Sequence, residues 1–261
     1  MTTEPPHGPP PDAADYLTGV LRRQALHLER VLHADAGRLE EVHLPAWLRS
    51  TPGEQRLPVM AVVLIAIALQ IGLPGRFALQ PHLLLPGLEV ALAAGLVAAN
   101  PTRIDRESRL LRALSVSLIA AISVANIISA LMLVYELLHG TAGDDAPALL
   151  ATGAAIWGTN VIAFGLWYWE LDRGGPVARA HARRAYPDFL FVQMQAPEVA
   201  PPDWEPTFVD YLYLSFTNAT AFSPTDVMPL SRWAKMMMLV QSAVSIVAIV
   251  LVVARAVNIL K

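Results

Sequence analysis

Ser215, Thr217, Asn218, Thr220, Ser223 and Thr225 place hydroxyls and one amide at close spacing, and Asp226 closes the run. Oxygen-bearing groups at such spacing can stand in for the water shell of a cation or a small solute. The stretch containing them, Asp210 to Arg232, opens on Tyr211, Leu212, Tyr213, Leu214 and Phe216 and ends beyond Pro229. It directly precedes the most apolar segment of the chain, Trp233 to Leu260. A half-buried helix followed by polar extended backbone is tolerated at membrane depth only where protein or water surrounds it. Two readings follow. In one, Thr217, Asn218, Thr220, Phe222, Ser223, Thr225 and Asp226 line a pathway. In the other, the run is an interfacial helix with a tight connection to the next one.

The stretch resembles the pore loop of tetrameric potassium channels, which reads roughly Ser-Phe-Thr-Thr-Leu-Thr-Thr-Val-Gly-Tyr-Gly-Asp-Ile-x-Pro-x-Ser-Arg. Laid over this chain without gaps, Ser215, Phe216, Thr217, Thr220, Asp226, Pro229, Ser231 and Arg232 match. The filter is degenerate: Ala221, Phe222, Ser223, Pro224 and Thr225 stand where the family has Thr-Val-Gly-Tyr-Gly. That filter needs glycine for its unusual backbone angles, and no glycine occurs here from Pro176 to the C-terminus. Pro224 fixes its own φ and biases Ser223 toward extended backbone. The resemblance covers the last fifth of the chain. The C-terminal half also looks like an uncharacterised bacterial family of channel-like membrane proteins. Together these imply a channel-like, homo-oligomeric protein with a weak preference for monovalent cations and no potassium selectivity. The rivals are a non-conducting scaffold or sensor and a small-solute transporter.

Composition sets the setting. The 261 residues are 54% apolar and 16% charged, with a mean hydropathy of +0.44. That is the make-up of an integral membrane protein. A net charge of −3 argues against a nucleic-acid face. The chain contains no cysteine, which excludes disulfides and thiol chemistry. Its seven histidines are scattered without an i,i+4 pair, so no metal is expected. No phosphate loop, HExxH or nucleophile elbow appears, so the chain reads as neither an enzyme nor a cofactor binder. No basic n-region and apolar h-region open it, so the first span is expected to direct insertion.

The elements that must position the polar run follow in order. Residues 1–11 form a Pro-rich tail and 12–56 an amphipathic helical segment on the cytoplasmic side. Residues 57–171 hold four spans: 57–73, 83–99, 110–138, and a fourth opened by Asp144, Asp145 and Pro147. Thr102 or Asp105 is expected to cap the third. Trp167, Tyr168 and Trp169 suit the headgroup level at the end of the fourth. Residues 172–206 form a loop, and 207–261 the pore-like helix and last span. The fold class is thus an all-α membrane bundle of five spans plus a short pore-like helix. Small residues at every fourth position, such as Gly87, Ala91 and Gly95, mark ridges for helix contact, with an oligomer contact as the second reading.

Ten arginines flank the ends that begin span one, join spans two and three and follow span four, against Arg76 on the other side. The N-terminus is therefore expected in the cytoplasm of a cell with the protein in its plasma (inner) membrane. That orientation puts the pore-like loop on the cytoplasmic side, opposite to potassium channels. Either the element is inverted, or residues 207–222 themselves cross and make a sixth span. Within the spans, Glu89, Gln70, Asn126, Asn160 and Gln241 need partners or water. Glu89 reads as a proton or cation site or as a hydrogen-bonded acid near a span end. The asparagines read first as glue between helices.

Overall fold

The computed structural model describes residues 45–99, 102–104, 108–141, 145–221 and 226–259. The expected tail at 1–11 and the helix from Asp12 to Ala34 lie outside them. So does most of the short helix expected at Gly37–Leu48, of which Ala46–Leu48 forms a single 3-10 turn.

Helices dominate. They are α1 (Arg56–Ile71), α2 (Leu84–Ala99), α3 (Arg109–His139), α4 (Ala146–Leu171), α5 (Pro176–Ala180), α6 (Val192–Gln195), α7 (Phe208–Ala221) and α8 (Arg232–Ile259). Three of them are long and apolar enough to cross a membrane: α3, α4 with its 3-10 extension to Gly174, and α8. Two more, α1 and α2, are apolar but shorter, each rising roughly 24 Å. Two-residue strands pair antiparallel between the helices: β1 (Glu54–Gln55) with β2 (Arg103–Ile104), and β3 (Phe189–Leu190) with β4 (Met228–Pro229).

These pairings bring helix ends together. Glu54, before α1, accepts from Trp169 Nε1 near the end of α4 at 2.6 Å. Leu69, near the end of α1, packs over Gly158. The two helices therefore run antiparallel. Ser115, early in α3, donates to Glu170 at 2.8 Å, and Trp167 Nε1 donates to Ser123 at 2.9 Å. At the opposite end of α3, Glu136 meets Arg76 at 3.5 Å. Successive helices α1 to α4 thus alternate in direction. The end that gathers residues 45–55, 102–104, 108–109, 172–207 and 226–232 is called the near end below.

The caps follow the chemistry only in part. Asp145 accepts from Ala148 N at 3.1 Å with Pro147 in the first turn, as expected of a helix start. The third long helix does not start at Thr102 or Asp105. Pairing of Arg103–Ile104 with Gln55–Glu54 holds the backbone extended there, and Ser108 becomes the N-cap without a side-chain bond.

The small-residue ridge on α2 is also corrected. A Cβ added at Gly87 or Gly95 would meet nothing within 4 Å, so neither lies against another of the described helices. The close approaches lie on α4. A Cβ at Gly165 would sit 3.3 Å from Leu212 Cα, and one at Gly153 would sit 2.8 Å from the Val252 methyls. Helix α4 is the hub, packed against α1, α3, α7 and α8.

Candidate functional site

Helix α7 carries the polar run, and its surroundings decide what those groups can do. Residue Tyr211 stands at the near end, where its hydroxyl donates to Asp172 at 2.5 Å. Leu212 and Ser215 lie against Gly165, and Ser215 Oγ donates to Val161 O at 2.6 Å. Phe216 meets Trp157 edge-on with centroids 5.6 Å apart. Trp157 sits about 21 Å along α4 from its near end. Helix α7 therefore descends into the bundle antiparallel to α4. By Met228 the chain is back at the near end: β4 pairs with β3, and Leu230 N donates to Asp188 O at 2.8 Å.

Helix α8 begins at that same end and runs parallel to α7. Trp233 Nε1 donates to Asp188 at 2.8 Å, Gln241 meets Tyr168, and Ser245 accepts from Asn160 Nδ2 at 3.1 Å. Since α8 starts where α4 ended, α7 goes in and the chain returns. Residues 208–221 thus run inward from the near end, and the chain has returned to that end by Met228.

Buried at the junction of α4, α7 and α8 is a closed polar network. Gln241 has 0% exposure. Its Oε1 accepts from Tyr168 Oη at 2.6 Å and from Asn218 Nδ2 at 2.8 Å. Its Nε2 donates to Ser215 O at 3.0 Å and Ser215 Oγ at 2.7 Å. Both amide groups of Gln241 are thereby matched, as a buried amide requires. Asn218, 2% exposed, also donates to Met238 O at 3.0 Å and accepts from Ser242 Oγ at 3.3 Å.

The residues expected along a pathway are distributed unevenly around this network. Asn218 sits inside it. Thr217 and Thr220 return their hydroxyls to their own helix, at Tyr213 O (3.0 Å) and Phe216 O (2.7 Å). Asp226 is exposed and already engaged in an interaction. Phe222, Ser223 and Thr225 lie outside the described residues.

Among the other polar residues expected within spans, Asn160 bridges α4 to α8 through Ser245. Asn126 is buried on α3. Glu89 is fully buried on α2, and neither of its oxygens has a partner among the described residues. Tyr168 and Trp169 do not face headgroups: both are buried, with their polar atoms bonded to Gln241 and Glu54.

A second polar cluster, which hydropathy alone does not reveal, holds the near end together. Asp172 accepts from Asp188 N at 2.8 Å and Phe189 N at 3.3 Å. Asp188 in turn accepts from Arg173 N at 3.0 Å and from Trp233. Arg173 donates to Trp47 O and Arg184 O, both at 2.7 Å. Arg179 donates to Trp169 O at 2.6 Å and lies over the Tyr211 ring at 5.0 Å. Glu54 accepts from Phe208 N as well as Trp169. Burial pushes the Glu54 carboxyl above its ordinary range, against the pull of Arg179 and of these two donors. The result is a latch that fixes the start of α7 and of α8 to the end of α4.

Comparison with protein-family models, with curated proteins and with solved structures gives no match.

Proposed function

We propose that this is a channel-like protein of the inner membrane, built on an inverted pore-loop element and assembling as a homo-oligomer. The observation that carries the reading is the path of α7: a helix entering between α4 and α8, followed by chain that is back at the same end by Met228. An outer helix, a half-length helix and an inner helix in that order are what the resemblance to potassium-channel pore regions leads one to expect. The polarity fits cations. Helix α7 runs inward from the near end with no basic residue in its last turn, so the negative end of its dipole points away from that end.

In this reading α1, α2, α3, α4 and α8 are five crossing helices, and α7 is re-entrant. The near end is cytoplasmic. It gathers Arg49, Arg56, Arg103, Arg109, Arg112, Arg173, Arg179, Arg183 and Arg184, against Arg76 and Arg255 toward the other end. Single cysteines replacing Ser50 and His181 should then be shielded from an impermeant thiol reagent in intact cells. One replacing Thr141 should react, and the reverse pattern would invert the assignment.

Asn218 belongs to the packing that holds α7, so lining falls to Phe222, Ser223, Thr225 and Asp226, with Thr217 and Thr220 behind them. A chain without glycine there cannot stack carbonyl rings as potassium channels do. Purified protein in liposomes is expected to pass sodium and potassium at comparable rates, with Asp226→Asn lowering both. Discrimination of potassium by orders of magnitude would overturn the selectivity reading. Absence of flux under varied voltage and pH would favour a non-conducting scaffold or sensor. The observation on that side is the network around Gln241, which satisfies the buried amide and hydroxyl of α7 inside one chain.

A further inference from the structure

Away from α7, a cavity of about 670 Å³ opens at the near end between α1, α3, α4 and the segment 174–184. That volume falls within the range of small-molecule sites, roughly 300–1,000 Å³. Five arginines line it: Arg56, Arg109, Arg112, Arg183 and Arg184. The described lining residues offer one carboxyl group against them, Glu170, which accepts from Ser115 at 2.8 Å. The deeper wall is apolar, formed by Val59, Val63, Leu118, Ile119 and Leu166.

Arg56 is the unusual member. It is 6% exposed, in the first turn of α1, and its Nε has no partner among the described residues. A buried guanidinium donor left unmatched is costly, and an anion in the cavity would supply what it lacks. Guanidinium groups are suited to phosphate because two parallel N–H donors match two phosphate oxygens.

Position narrows the ligand. Leu57 and Leu110, next to Arg56 and Arg109, are 76% and 67% exposed. The arginines therefore stand where the apolar outer surface of α1 and α3 begins, the depth of lipid headgroups in a leaflet. A ligand fitting both walls has a phosphate at one end and a hydrocarbon chain at the other.

We propose that the cavity binds one anionic glycerophospholipid, its phosphate held by Arg56 and Arg112 and an acyl chain lying along the Val59–Leu118 wall. This does not require a conducting pore. It rests only on α1 and α3 beginning at a membrane surface, and the flux experiment can fail without touching it.

The test is native mass spectrometry of delipidated protein titrated separately with phosphatidylglycerol, phosphatidylcholine and water-soluble glycerol 3-phosphate. One phosphatidylglycerol per chain should be retained at least tenfold more tightly than either of the others. Arg56→Gln should weaken it tenfold or more. Because Arg56 is buried and its variant can misfold, the exposed pair Arg109→Gln with Arg112→Gln provides a second arm with the same expected loss. Arg49→Gln, at the same end but outside the cavity, should leave retention unchanged. Equal retention of phosphatidylcholine, or undiminished phosphatidylglycerol in the Arg109/Arg112 variant, would overturn the proposal. Glycerol 3-phosphate binding as tightly as the lipid would overturn the lipid assignment in favour of a soluble phosphate.

Discussion

The network around Gln241 and the arginine cavity are both polar regions within an apolar bundle, and they are built on opposite principles. At Gln241 every donor meets an acceptor over α4, α7 and α8. In the cavity, five guanidinium groups face one carboxyl group among the described lining residues, and the buried Arg56 Nε has no partner among them. A closed network contributes rigidity and a single helix register, because each group is worth its hydrogen bond only in that arrangement. An open one stores unsatisfied binding capacity, which is what a ligand site has before its ligand arrives.

The sharpest way to break the contrast is at its closed pole. Gln241→Leu removes the partner of Tyr168, Asn218 and Ser215 together while preserving bulk. It is expected to cost about 2–4 kcal/mol, read as a large drop in detergent melting temperature, because the buried Tyr168 hydroxyl loses its acceptor and Asn218 and Ser215 each lose one bond. An unchanged melting temperature would mean the network is incidental.

Gly165→Leu attacks the same region through geometry. With Leu212 backbone 3.3 Å from the new Cβ, α7 must move off α4, at a cost of about 1–3 kcal/mol. Gly95→Leu on α2, where open space surrounds the site, should leave the fold of the chain unaffected. Equal losses in the two variants would contradict the packing described.

Glu54 gives a smaller, pH-dependent effect. Its folded pKa is raised above 4.5 by burial, so the fold holds the proton more tightly than the unfolded chain does. Its contribution is fully present below about pH 4.5 and is lost as pH rises through the folded value. The stability of the native protein relative to Glu54→Gln should therefore decline over that window. A difference independent of pH would remove the burial argument.

The least effect is expected at the open pole. Arg112→Gln touches an exposed side chain and should change stability by no more than about 0.5 kcal/mol, while still weakening retention of anionic lipid. A marked loss of stability would place Arg112 with the structural groups instead.

Features carried by one contiguous segment are legible in the sequence. The apolar runs mark α3, α4 and α8 as long enough to cross, because hydropathy and length are properties of a contiguous segment. Asp145 and Pro147 announce the start of α4 because a cap is satisfied within one turn. Where local signals failed, the deciding partner lay far along the chain. Asn218 as a pathway residue or as a bond to Gln241 depends on which helix lies 23 residues on. Gly165 rather than Gly95 marks a close contact because of where Leu212 falls, which spacing alone does not reveal. Arg103 and Ile104 stay extended because Glu54 and Gln55 pair with them, so the expected helix cap is absent. Asp172, Arg173, Arg179 and Asp188 fall in the segment 172–206 expected as a loop, yet each is tied into the latch, and all but Asp188 are buried. A hydrocarbon run determines that a helix will be buried or in lipid; only the packed chain supplies the second half of a hydrogen bond, and so decides which polar residues are structure and which remain open to a ligand.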